Sequence, residues 1–388
     1  MNVKQKTLAA LLVLGIGMSG CSNKDNNSTP STDNKAVDQN NTEGNRTVPN
    51  PPVENNNTEE NRTATILGNI GSQHSDHNST ITVAQLQAIT PALSNIDDRY
   101  LNIYQRYIAS ADTNFSSPAT VDEVQSMIDE VNDFNLPEHA ILDRSFFKKT
   151  NGIFEHRFVY LPVKNNTTGK TWLNNNLGAD YANVDSSAYN PSQQATTSTD
   201  SLAYGSLFEW GRKADGHELM NRATTGTKKY GITSTKADEP SDSLFIKVSS
   251  YKDKEDWRVN PDDTLWASES SANNVCPAGY RLPLNPNGAD DAEHELAVEL
   301  NSWNSKDANG SMSSALKLTL NGYDHYSTAR SVPDDAGFSG NYWSGSVIPS
   351  DGNNSTVSYA RDIYFGHYLD LLDSSHRADS MGVRCIKD

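Results

Sequence analysis

The side chains able to carry chemistry in this 388-residue chain are three cysteines, nine histidines and forty-nine carboxylates. Two runs set a histidine between carboxylates, Asp215-Gly216-His217-Glu218 and Glu293-His294-Glu295. A zinc hydrolase helix needs His-Glu-x-x-His, which puts two imidazoles on one helical face, and neither run has that spacing. They read as a solvated turn and a helix surface. There is no Gly-x-Ser-x-Gly elbow for a serine nucleophile and no glycine-rich loop to cradle phosphate. Carboxylates are too numerous in so acidic a chain to single out a glycosidase pair. Asp324, Asp334 and Asp335 could converge on a hard cation, but acidic loops are common and binding needs several oxygens aimed at one point. The expectation is no enzyme, no cofactor and no metal site.

One segment has the composition of a recognition surface. Asp362 to Asp379 (DIYFGHYLDLLDSSHRAD) interleaves Tyr, His, Asp and Ser. Tyrosine presents rigid amphipathic area at low entropic cost, and the short polar residues add adaptable hydrogen bonds, which is paratope chemistry. Tyr364, His367, Tyr368, Asp370, Asp373, His376 and Asp379 are the expected ligand contacts. An ordinary solvated loop can have the same composition, so a structural role without a specific ligand stays open.

Net charge is −17 and the pI about 4.9, which argues against nucleic acid as a partner. Only 35% of residues are hydrophobic. Globular chains usually reach about 45–50%, so part of this one should stay outside any core.

The N-terminus carries an address. Lys4 and Lys6 precede the apolar run Leu8 to Met18, which is too short to span a bilayer as a helix. The run ends Met18-Ser19-Gly20-Cys21, which resembles the bacterial lipobox, where the cysteine is lipidated and becomes the mature N-terminus. Residues 1–20 are then a lipoprotein signal peptide and Cys21 the lipidation site. Ser22 follows rather than Asp, which implies outer-membrane retention through a lipid anchor.

Residues 21–65 are Asn, Thr, Ser, Pro and acidic residues with almost no Val, Ile or Leu, and read as a disordered tether. Residues 66–140 read as a small helical module of three helices. Thr82-Val83-Ala84-Gln85 and Thr120-Val121-Asp122-Glu123 fit the capping box, followed by apolar residues at helical spacing. From 150 to 388 the chain is rich in Gly, Asn, Ser and aromatics, and all six tryptophans lie there. Its strand-like runs are short: Arg157 to Val163, Leu244 to Val248, Ala360 to Phe365 and Met381 to Ile386. Glu293 to Trp303 is the best helix candidate. This is the profile of an α+β domain with much irregular loop.

Four runs in this region carry a family likeness. They are Gly169-Lys170-Thr171-Trp172-Leu173 with Asn176-Leu177-Gly178; Tyr204-Gly205-Ser206-Leu207-Phe208-Glu209-Trp210-Gly211-Arg212; Cys276-Pro277-Ala278-Gly279-Tyr280-Arg281-Leu282-Pro283; and Gly340-Asn341-Tyr342-Trp343-Ser344 with Gly382-Val383-Arg384-Cys385-Ile386-Lys387. In this order they resemble the Fibrobacter succinogenes major paralogous domain, over roughly 157 to 388. The resemblance implies a C-type-lectin-like fold. It also implies an exposed ligand face near the C-terminus, which in some members is the variable target of a diversity-generating retroelement. The acidic ligand set of calcium-dependent lectins is missing, since Trp343 is followed by Ser344-Gly345. With Cys21 lipidated, Cys276 and Cys385 should form a disulfide in an exported protein, leaving no reactive thiol for the chemistry of oxidase relatives. Trp210, Tyr342 and Trp343 should be core, and Arg281 and Arg384 should pair with carboxylates or cap carbonyls beside the bridge. The expected function is adhesion or recognition of a glycan or protein on another cell, a host or a phage.

Overall fold

The computed structural model describes residues 58–76, 79–150, 153–222, 227–248, 255–284, 295–327, 333–348, 359–366 and 370–388. The signal peptide, Cys21, residues 22–57 of the tether, Glu293, His294, His367 and Tyr368 lie outside the described residues.

The first helix, α1 (Glu59–Asp76), begins inside the stretch expected to be tether. Its first turn carries Glu59 and Glu60, which suit the positive end of the helix dipole. Ile66 and Ile70, one turn apart, are 5% and 0% exposed. That narrow apolar stripe is enough to dock a helix that is otherwise polar. Gly71 allows the close approach, because a Cβ there would sit 2.7 Å from the Ser116 carbonyl oxygen.

The next helices are α2 (Val83–Gln87), α3 (Leu101–Ala109) and α4 (Val121–Asp133), so the described residues of this part form four α-helices where three were expected. Both expected capping boxes form. The Thr82 and Thr120 hydroxyls accept from the backbone N–H of Gln85 and Glu123, whose side chains accept from the cap N–H groups in return. Leu86, Ile103, Tyr104, Ile108, Val124, Ile128 and Val131 meet in one core.

That core does not stop at residue 140. Phe146 and Phe147 are buried in it, with Phe146 edge-on to Phe134 at 5.3 Å and Phe147 edge-on to Tyr107 at 4.9 Å. Residues 55–388 accordingly form one compact unit, the helical part and the part beyond it sharing this core. The reason is local: the segment between them carries two adjacent phenylalanines that must be buried somewhere.

Beyond it the architecture is mixed α and β, with several small sheets. One antiparallel sheet orders its strands Tyr280–Arg281, Ile386–Lys387, Thr171–Leu173, Pro162–Lys164, so the C-terminal strand is held between two others. Cys385, next to that strand, is bonded to Cys276, and neither sulfur-bearing residue is exposed.

The longest sheet is antiparallel: Ser339–Val347, Tyr359–Gly366, Asp370–His376. It has a core on each face. Tyr342 pairs with Ile363 and stacks on Phe365 at 6.1 Å, and this face packs on Trp172 and on Leu296, Leu300 and Trp303 at α5 (Glu295–Asn301). A further helix, α6 (Ala308–Ser313), adds Ala308. On the other face Trp343 and Ala360 join Phe208, Trp210 and Trp266. Every tryptophan is 7% exposed or less. The Trp343 indole donates to the Phe208 carbonyl at 2.7 Å and Trp210 to that of Ser344 at 2.9 Å. These rings are scaffold, as their place in the four runs suggests.

Candidate functional site

The C-terminal sheet sorts the expected contacts onto two sides. Tyr364 pairs with Leu371, Asp373 with Asp362, Asp370 with Phe365, and His376 with Tyr359. Directly opposed residues of an antiparallel pair share a face, and successive residues alternate. Positions 364 and 373 therefore lie on one face of the sheet and positions 370 and 376 on the other. Asp379 lies between the strands Asp370–His376 and Ser380–Met381. It is 4% exposed, accepting the Tyr326 N–H at 2.7 Å and the His376 N–H at 3.1 Å. A carboxylate used twice by backbone donors shapes this turn.

His376 is where the chemistry gathers. Its side chain is 22% exposed, its Nε2 faces the Glu255 carboxylate closely, and its Nδ1 lies 3.7 Å from Asp379 Oδ2. The ring lies against Tyr326 at 4.5 Å and Tyr359 at 4.8 Å, and Tyr326 lies in turn against His325 at 4.3 Å. Glu255 has a side chain only 1% exposed and a left-handed φ of 48°. Its carbonyl accepts the Ala378 N–H at 3.1 Å, which locks this turn to the end of the strand. Non-glycine residues in that conformation persist only where the surroundings hold them, and functional sites are enriched in them.

Burial of His376 disfavours its charged form, but the carboxylates of Asp379 and Glu255 outweigh it, so its pKa stands above the ordinary 6.5. His156 behaves likewise: burial opposes the charge, and the Glu218 carboxylate prevails. A histidine whose pKa is higher in the folded than in the unfolded chain adds stability below the unfolded value, and that stability is lost as pH rises through the folded value. The protein is therefore expected to lose stability as pH climbs above about 6.5. In His376→Asn the part of that slope due to His376 should disappear in urea titrations at several pH values. A slope identical to wild type would contradict the ion pairing at His376.

The run Asp215-Gly216-His217-Glu218 is no solvated turn. His217 and Glu218 are each 1% exposed. His217 Nδ1 meets Asp215 Oδ1 at 2.7 Å, and His156 Nε2 meets Glu218 Oε1 at 2.7 Å. Arg212 reaches Asp215 Oδ2 at 2.8 Å and Glu209 Oε2 at 2.6 Å. Asp215, His217 and Glu218 have the proximity of a metal ligand set, but their donor atoms are committed. His217 Nε2 accepts the Glu209 N–H at 3.3 Å, so the ring proton sits on Nδ1 and no lone pair there faces the carboxylates. Asp215 is already neutralised by Arg212. The arrangement is an internal hydrogen-bond network.

Asp324 is similarly committed. It is fully buried with Lys228 Nζ at 2.9 Å and Lys247 Nζ at 2.5 Å from its Oδ2, and is not free to join Asp334 and Asp335 around a cation. Arg281 pairs with Glu295 at 2.6 Å and with Asp388 at 2.8 Å. Arg384 is buried and caps instead, donating to Asn176 Oδ1 and to the Leu316 and Leu173 carbonyls.

Glu255, His325, Tyr326 and Tyr359 are the members of the His376 cluster that sequence reasoning did not nominate. All four come from segments 17 to 121 positions away from His376 in the chain, so no local spacing announces them. Only Asp324-His325-Tyr326, a run of ionisable and aromatic types, offers a signal.

Comparison with known proteins gives no match to a family model, to a curated protein or to a solved structure. Fold and site define a class on their own terms: a disulfide-bridged α+β unit with a helical N-terminal part and an aromatic, histidine-centred cluster beside its longest sheet. Among the described residues no helix is long and apolar enough to cross a membrane.

Proposed function

We propose that this protein is an outer-membrane lipoprotein, anchored through Cys21 and displayed at the cell surface, whose C-terminal region has a C-type-lectin-like fold and binds a glycan or protein on another cell, a host or a phage. The observation that carries the binding role is the His376 cluster. A partly exposed imidazole is held between two fixed carboxylates and flanked by tyrosines, offering flat apolar area and hydrogen-bonding tips at one place. The four motif runs support the lectin-like reading, because their residues build the bridge, the double-faced core and the clasp around the C-terminal strand. The resemblance also supports a variable, retroelement-diversified protein, with change concentrated around Tyr364 to His376 and the core tryptophans left constant.

The anchoring half has its own test. Cells grown with an alkyne fatty acid should label the wild-type protein and not Cys21→Ala, and external protease should remove the wild type from intact cells. Labelling that survives Cys21→Ala, or a protein cut only after lysis, would contradict anchoring or display respectively.

A further inference from the structure

A shallow groove follows α3 where the chain leaves the helices. Two cavities of about 550 and 400 Å³ share Arg106 and Ala109, so they are two ends of one groove.

The smaller end is cationic. Arg106, Arg144 and Lys148 line it, with Asp112 as the single carboxylate on its wall. Against a net charge of −17, that is a local reversal of sign. Arg106 is anchored by its Nη2 on the Asp143 carbonyl, and Arg144 by Glu269 at 2.6 Å. Burial disfavours Arg106's charged form, Asp143 offsets part of that, and Arg144 adds a smaller repulsion. The Lys148 ammonium has no hydrogen-bond or ion-pair partner among the described residues. A bound anion would give that ammonium a partner.

The larger end is uncharged apart from Arg106. Ser79, Asn102 and Gln105 bring hydroxyl and amide groups, and Ile103 and Leu142 bring apolar surface. A pyranose ring has the matching character, with polar edges and an apolar face.

We propose that this groove binds an acidic oligosaccharide, its carboxylates on the wall of Arg106, Arg144 and Lys148 and a neighbouring sugar ring on the Asn102–Gln105 end. The site lies apart from the C-terminal sheet and does not depend on the role proposed for His376.

Calorimetric titration of the full-length protein in detergent tests this with tetragalacturonate, its fully methyl-esterified form and hexaglutamate as probes. Tetragalacturonate should bind, and the neutral ester at least about tenfold more weakly, the size of a lost charge-assisted contact. Lys148→Glu should weaken tetragalacturonate about tenfold or more while the protein still unfolds cooperatively, since the Lys148 side chain is exposed. Binding that falls as salt rises would agree. The proposal is overturned if no acidic sugar binds by millimolar concentration, if the ester binds equally, or if Lys148→Glu binds like wild type. It is equally overturned if hexaglutamate matches the sugar, which would make the groove a peptide site.

Discussion

Arg212→Ala is expected to destabilise the protein by about 3–5 kcal/mol, the cost of leaving a buried charge without its partner. Glu209 is fully buried and Arg212 is 1% exposed. The guanidinium is shared among Glu209, Asp215 and the carbonyls of Leu244 and Asp242, and lies 5.9 Å from the Trp257 ring centre. Without it, Glu209 keeps only the Ile246 N–H, at 2.7 Å, among these contacts. Arg212→Lys should recover only part of the loss, because an ammonium cannot reproduce the planar fork that spans two carboxylates and two carbonyls. Urea unfolding would show the change as a lower midpoint at an unchanged slope. A loss below about 1 kcal/mol, the range of exposed pairs, would mean that water reaches this network.

Removing the bridge should be comparably costly. The double variant Cys276→Ala, Cys385→Ala opens a cross-link between residues 109 positions apart. Loop-closure entropy puts its contribution at about 4–5 kcal/mol, and less where the reduced chain keeps structure. The effect should concentrate on the C-terminal strand, because the Leu173 N–H is held by the Cys385 carbonyl at 3.0 Å and Ile386 pairs with Trp172. Hydrogen exchange should therefore speed first at Leu173 and Ile386. Non-reducing peptide mapping of exported protein should recover the joined Cys276 and Cys385 peptides. Free thiols at both positions would contradict the bridged scaffold.

What could be read from sequence was whatever depends on near neighbours. The capping boxes at Thr82 and Thr120 are four-residue signals and form as expected. The helix around Leu296 and Leu300 follows a 3.6 period, and its described part is Glu295–Asn301. The strand at Ala360 to Phe365 has the β-branched and aromatic types that strands favour. The tryptophans had to be buried because nothing else of that size was available for the core. Features that arise from long-range packing were not legible. α1 was hidden because Ile66 and Ile70 are too few to offset a polar composition until a partner surface is known. The burial of Glu218 depends on His156, which arrives from 62 positions away, and that of His217 on Phe245. The division of Tyr364 and His376 between two faces depends on register, which a loop-like composition conceals. Glu255 became visible only once its turn was placed against the end of the last long strand.

The most direct test of the central claim is a binding measurement at the His376 cluster. Purified protein would be passed over a glycan array and over a panel of surface proteins from neighbouring bacteria, hosts and phages, beside the variant Tyr359→Ala, which removes a ring lying against His376. Tyr359 is only partly buried, so the variant should melt like wild type. The account predicts a ligand retained by wild type and lost, by at least about tenfold, in the variant. A ligand held equally by both, or no retention on either panel, would contradict it and leave a structural envelope lipoprotein as the better description.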